Sequence, residues 1–138
     1  MVLACLALTA SFIAGYYWFQ YTDILNRLGG VPIYLNVGVD YGNQTRAWYN
    51  ETKALTGMTL FRVTKDMANV TYGTGTYIQS INGLSYNATH GWVWWKWDTF
   101  SPNWTLINIG ADSYSVADNE TFLWYFESGW PPLPPPLT

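Results

Sequence analysis

From residue 31 onward the apolar side chains recur at every second position, and Gly, Asn or Asp interrupts the chain every few residues. A period of two belongs to extended backbone, so this part of the chain can bury itself only as short strands of a sheet. In IYLNVGVDY (33–41), Ile33, Leu35, Val37 and Val39 fall on one face and Tyr34, Asn36 and Asp40 on the other. RAWYNETKA (46–54) follows a turn at Gly42 and reads as the hairpin partner. MTLFRVTKDMA (58–68) is the one helical stretch here, with Leu60, Val63 and Met67 on one side. The segments NVTYGT, TYIQSING, GWVWWKWD, NWTLINIG and NETFLWYFE then follow as strands between turns. The tail GWPPLPPPLT has the composition of a polyproline extension and is left out of the expected fold.

The first residues obey a different rule. Residues 2–19 are apolar without one charge. As a helix they would span about 27 Å, close to one bilayer hydrocarbon core. Helical spacing persists through Ile24, Leu25 and Leu28 until Gly29, Gly30 and Pro32 end it, which predicts a helix over 2–28. YYWFQY has the composition of an interfacial aromatic belt. No Lys or Arg precedes the run, unlike the start of a secretory signal peptide, so the helix is expected to stay in the mature protein. Ala7, Ser11 and Gly15 form a stripe of small residues that would let two helix backbones approach closely. The expected class is therefore α+β: an N-terminal hydrophobic helix, then a mainly-β, β-grasp-like head with one short helix. The expected division is 1–30 for the membrane or assembly helix, 31–127 for the head and 128–138 for the Pro-rich tail.

Composition narrows the partners. Only 11% of residues are charged and the net charge is −3, with six basic residues scattered from Arg27 to Lys96. Phosphate backbones require clustered Lys and Arg, so nucleic acid is not an expected partner. The single Cys5 cannot form an internal disulfide and reads as a small buried hydrophobe. Six of the ten Asn residues (Asn43, Asn50, Asn69, Asn87, Asn103 and Asn119) begin N-x-T sequons, where a Ser/Thr content of about one in six predicts one or two. That excess marks an exported chain carrying N-linked glycans, at the cell surface and either membrane-anchored through residues 2–19 or held in a surface filament.

The order strand–strand–helix–strands, with YIQSINGL, GWVWWKWD, GADSYSV and ETFLWYFE, resembles the transcobalamin C-terminal-like family of β-grasp domains, which is frequent in archaeal secreted proteins. The family's "s-I-N-G" turn corresponds to Ser80–Gly83, its Trp-bearing strand to Gly91–Trp97, its "G-A-s-x-Y" turn to Gly110–Val116 and its last strand to Phe122–Phe126. The match covers about residues 33–127. In the vitamin carriers of the family this domain caps cobalamin together with a larger helical domain, of which these 138 residues are expected to hold no counterpart. The resemblance thus implies a fold more than a ligand.

Catalytic chemistry is sparse. His90 is the one histidine and reads as a loop residue, so no catalytic residues and no enzyme are expected. One His and one Cys cannot make a zinc site, and Asp112, Asp118 and Glu120 read as turn carboxylates rather than calcium ligands, so neither metal nor cofactor is expected. In GWVWWKWD, Trp92, Trp94 and Lys96 share one face while Val93, Trp95 and Trp97 share the other. A strand aromatic on both sides has one face left for a sugar ring, an apolar ligand or a neighbouring subunit, with Trp92 and Trp94 as the candidate platform. The leading expectation is a structural glycoprotein assembling with copies of itself through its N-terminal helix, a layout resembling archaeal type IV pilins. The alternatives are a single-pass subunit of a larger membrane complex, or a tethered module binding a cobalamin- or sugar-like small ligand.

Overall fold

The structure is a computed structural model and describes residues 30–74, 77–129 and 131–137. Eight strands and one helix follow in the order β1 (Pro32–Asp40), β2 (Arg46–Leu55), α1 (Leu60–Met67), β3 (Val70–Tyr72), β4 (Ile78–Ile81), β5 (Leu84–Ser85), β6 (Gly91–Asp98), β7 (Asn103–Leu106) and β8 (Thr121–Glu127). They form a five-stranded sheet of order β2-β1-β8-β6-β7 and a three-stranded sheet of order β3-β4-β5. The first strand lies parallel to the last, with Val37 opposite Phe122 and Val39 opposite Trp124. Every other pairing is antiparallel.

This corrects the expected class. The described residues are mostly β, 47% in strands and 9% helical, with a single short helix. The α+β expectation included a hydrophobic helix over 2–28; that segment, with Ala7, Ser11 and Gly15, lies outside the described residues. No helix among the described residues is long and apolar enough to cross a membrane. The one helix is short for local reasons. Thr59 caps its N-terminus by accepting the Arg62 amide at 3.2 Å, and Ala68 has already returned to extended backbone.

The alternation read in β1 is realised: Ile33, Leu35, Val37 and Val39 are all buried in the main core. Leu60 and Val63 of α1 close over them, joined by Phe122, Trp124 and Phe126 of β8 and by Trp92 and Trp94 of β6. A buried polar link ties helix to sheet. The Trp124 indole N–H donates to Thr64 Oγ1 at 2.8 Å, and Thr64 Oγ1 in turn donates to the Leu60 carbonyl at 2.8 Å. Both residues are sealed from solvent, so each polar atom must find its partner inside the protein.

The opposite face of the large sheet carries a second cluster, Trp95, Trp104 and Leu123, with Val93, Trp97, Leu106 and Tyr125 against it. Trp48 stacks on Trp104 at 6.3 Å and 19°. Gly38 makes room for this layer: a Cβ there would stand 2.9 Å from both Leu123 Cδ1 and the Trp48 ring. The Pro-rich tail, which the sequence left unassigned, engages the domain. Pro135 is buried, and Arg46 donates to the Pro136 carbonyl at 2.6 Å while pairing with Asp40 at 2.9 Å. Residues Pro32–Thr138 make one compact unit.

The Thr64 hydroxyl generates a prediction. Thr64→Val keeps the volume but strands the Trp124 N–H without an acceptor, which should cost about 1–3 kcal/mol. Urea unfolding followed by Trp fluorescence measures it, and a midpoint unchanged from the parent would show that the indole finds another partner.

Candidate functional site

The inner face of β6 changes character along its length. Trp92 and Trp94 are each 6% exposed, under the core, and both indole N–H groups are satisfied by backbone carbonyls, Leu84 at 3.0 Å and Ile109 at 3.1 Å. Two residues on, the same face presents Lys96, whose ammonium lies 5.9 Å from the centre of the Tyr114 ring. A cation at a core-facing position needs a counter-charge. Glu120 supplies it, with Oε2 at 2.7 Å from Lys96 Nζ and a side chain only 12% exposed.

Glu120 is held from several sides. The Tyr114 hydroxyl donates to its Oε2 at 2.7 Å, and the Ala117 amide donates to its Oε1. Its main chain is pinned as well, since its carbonyl accepts the Asn36 amide at 3.0 Å. The preceding turn is stitched to β1: Asn119, in the left-handed region at φ 64°, donates its amide to the Tyr34 carbonyl, and Tyr34 donates its own to Asp118 Oδ1. The carboxylate therefore arrives preset.

Around this pair lies a cleft of about 400 Å³, lined by Lys96, Trp97, Asp98, Thr99, Phe100, Thr105, Ile107 and the segment Asn119–Thr121. Asp98 Oδ1 accepts the Phe100 amide at 2.9 Å, closing the β6–β7 turn and holding Phe100 at its tip. Phe100 is 97% exposed, an unusual position for a ring. The cleft thus joins a fixed donor–acceptor pair to apolar surface from Phe100 and Ile107. The hydrogen bond that Lys96 donates to Glu120 raises the Lys96 pKa above its ordinary 10.5 against a smaller opposing effect of burial. Burial is the main cause of the upward shift at Tyr114, with Glu120 adding to it.

The residues named from the sequence are distributed otherwise. Trp92 and Trp94 are core residues whose edges line two smaller clefts, of about 320 and 240 Å³. His90 stacks on Phe126 at 5.2 Å, and its Nδ1 lies 2.8 Å from Thr89 Oγ1. Among the described residues no three His, Cys, Asp or Glu side chains gather as a metal site, and Asp118 and Glu120 are spent on the contacts above. All six sequon asparagines are exposed. The sequence places Lys96 on the face of Trp92 and Trp94 and reads Glu120 as a turn carboxylate, but does not bring the two together with Tyr114 and Phe100. The signal that would have found them is the charge of Lys96 in register with two core tryptophans.

The solved structures similar to this chain include haptocorrin in complex with Cbi, at TM-score 0.58 and 20% identity, covering 71% of this chain. The match spans only 25% of haptocorrin's length. A second is a candidate metal-binding protein from Ruminococcus gnavus ATCC 29149, at TM-score 0.52 and 17% identity, covering 71% of this chain and 99% of that one. At these identities the likeness establishes the fold, which is transcobalamin C-terminal-like; it lends nothing to the pilin layout. No curated protein matches the chain. A family model described as a domain of unknown function, DUF4430, matches residues 57–128, more than half of the chain. The chain belongs to the DUF4430 family.

Proposed function

We propose that this domain is an exported small-ligand binding module, not a catalyst, and that the cleft at Lys96 and Glu120 is its binding site. One observation carries the reading: a carboxylate fixed by two hydrogen-bond donors and paired with a lysine stands next to exposed aromatic surface in a cleft of about 400 Å³. Because the pair neutralises itself, it suits hydroxyl or amide groups, which both donate and accept, better than a naked anion. Phe100 and Ile107 suit the apolar face of a ring on the same ligand. The volume falls at the small end of the range of roughly 300–1,000 Å³ for small-molecule sites. The cleft therefore takes a small neutral polar molecule, or one edge of a larger one such as a corrinoid. The fold shared with haptocorrin, which holds Cbi, supports a ligand-binding role. The filament reading rested on residues 2–28 and receives no support from the similar proteins.

Calorimetric titration of the full chain with cobinamide, cobalamin and neutral oligosaccharides tests this. Saturable binding by one class is expected, weakened at least about tenfold, or 1.4 kcal/mol, by Phe100→Ser or Lys96→Met. Phe100 is so exposed that its loss leaves the fold intact. Absence of heat at millimolar concentrations of all three, or binding indifferent to both substitutions, would overturn the assignment.

The polar pair carries its own pH signature. Lys96 and Tyr114 both titrate above their ordinary values of 10.5 and 10.0 in the folded protein. Groups raised on folding hold protons more tightly in the native state, so their stabilisation is complete below the ordinary values and lost as pH rises through the folded ones. Stability should therefore fall with a steepened slope above about pH 10, and Glu120→Gln should flatten it. Urea midpoints measured from pH 8 to 12 compare the two proteins; parallel curves would mean the pair is uncoupled.

A further inference from the structure

Each sheet ends in two edge strands: β2 and β7 for the large one, β3 and β5 for the small one. Edge strands offer unpaired backbone donors and acceptors to any neighbouring chain, and proteins usually blunt them with charge, Pro or a bulge. β2 has such devices. It carries Arg46, Glu51 and Lys53, and a bulge sets Asn50 and Glu51 against one residue of β1, with Glu51 at φ 54° and its amide donated to Asn36 Oδ1 at 3.1 Å. The other three edges carry neither charge nor proline, and only β3 meets an irregularity, where Gln79 of its partner β4 is extra between Thr71 and Tyr72. β3 reads VTY, β5 reads LS and β7 reads NWTL, without one charge or proline.

Those are the strands beside which sequons fall. β7 begins at Asn103, with Thr105 two residues along it. Asn69 immediately precedes β3 and Thr71 lies within it. Asn87 follows the end of β5 by two residues. On β2, Asn50 sits at the bulge itself. All four asparagines are exposed. Asn43, in the β1–β2 turn, and Asn119, ahead of the central strand β8, lie off the edges.

We propose that Asn50, Asn69, Asn87 and Asn103 carry N-linked glycans, and that these sugars guard the sheet edges against pairing with other chains. The sugar donor is a lipid-phosphate-linked oligosaccharide. The asparagine side-chain nitrogen forms a bond to the sugar C1, the C1–O bond to phosphate breaks, the lipid phosphate leaves with the electron pair, and the nitrogen gives one proton to a base of the transferase. A bulky hydrated group beside an edge holds a second strand beyond the 4.7–4.9 Å or so that pairing requires. In a chain only 11% charged, the sugars take the place that lysines occupy on ordinary edges.

The test uses the full chain made in an N-glycosylating cell. Glycopeptide mass spectrometry reads occupancy at each asparagine, and sedimentation velocity reads self-association in one buffer. Sugar is expected at all four edge positions. The triple variant Asn69→Gln, Asn87→Gln, Asn103→Gln should pass from monomer to dimers and larger species, while Asn43→Gln should sediment like the parent. Enzymatic removal of the glycans from the already folded protein gives the same comparison where the triple variant fails to fold. An unmodified Asn50, Asn69, Asn87 or Asn103, or a deglycosylated protein that sediments as a monomer, would overturn the proposal. Equal association of the Asn43→Gln variant would overturn the edge assignment.

Discussion

The pairing of β1 with β8 closes this domain, because it joins the first strand to the last across the centre of the sheet. A parallel pair cannot be made by a hairpin. The intervening chain, from Arg46 to Glu120, must leave β1, pass over one face and return, and the helix α1 lies on that route. Its packing is then dictated. Leu60 and Val63 face the apolar row of β1, and Thr64 reaches Trp124 of β8. A single hydroxyl thus binds the crossover to the strand it serves. The turn before β8 repeats the logic from the other end, since Asp118 and Asn119 bond to Tyr34 of β1 and set the entry of β8. Glu120 is aimed into the cleft as a consequence of that closure.

A sheet so aromatic needs relief on its second face. Trp48, Trp95, Trp97 and Trp104 stand there, and Gly38 in the middle of β1 is where their layer approaches the backbone. Even one methyl group at Gly38 would force Leu123 and Trp48 to move together. The two faces also explain how β6 holds five large side chains. Odd residues join the outer cluster and even residues the core, until Lys96 breaks the series.

What was legible in the sequence followed from periods, and what was not followed from distance along the chain. The alternation of Ile33, Leu35, Val37 and Val39 could mean only one buried face, and β1 presents it. Leu60 and Val63 announced the helix, though not that Thr59 and Ala68 would confine it to eight residues. Nothing local told which face of GWVWWKWD would be inner. The expectation offered Trp92 and Trp94 to a partner, and the structure buries them, because parity is decided by the β8 register, with Trp94 opposite Trp124. The tail was unreadable for the same reason: its anchor, Arg46, lies 90 residues earlier. The α+β class came from a strong local pattern in residues 2–28 that the described structure does not contain.

The candidate site shows the same division more sharply. Lys96 and Glu120 are 24 positions apart in sequence, and neither is notable alone. Their register makes them so: a lysine on the core side of a strand has to be answered, and the answer can come only from whatever element the topology brings over that end of the sheet. Here that element is the turn fastened to Tyr34. Since the carboxylate is oriented by Tyr114 and Ala117 as well as by Lys96, the charge pair has little freedom to rearrange. Little ordering cost then remains for the protein when a ligand bonds to it, which is the condition under which a shallow cleft can bind selectively. The cleft's chemistry is thus a product of how the chain closes on itself.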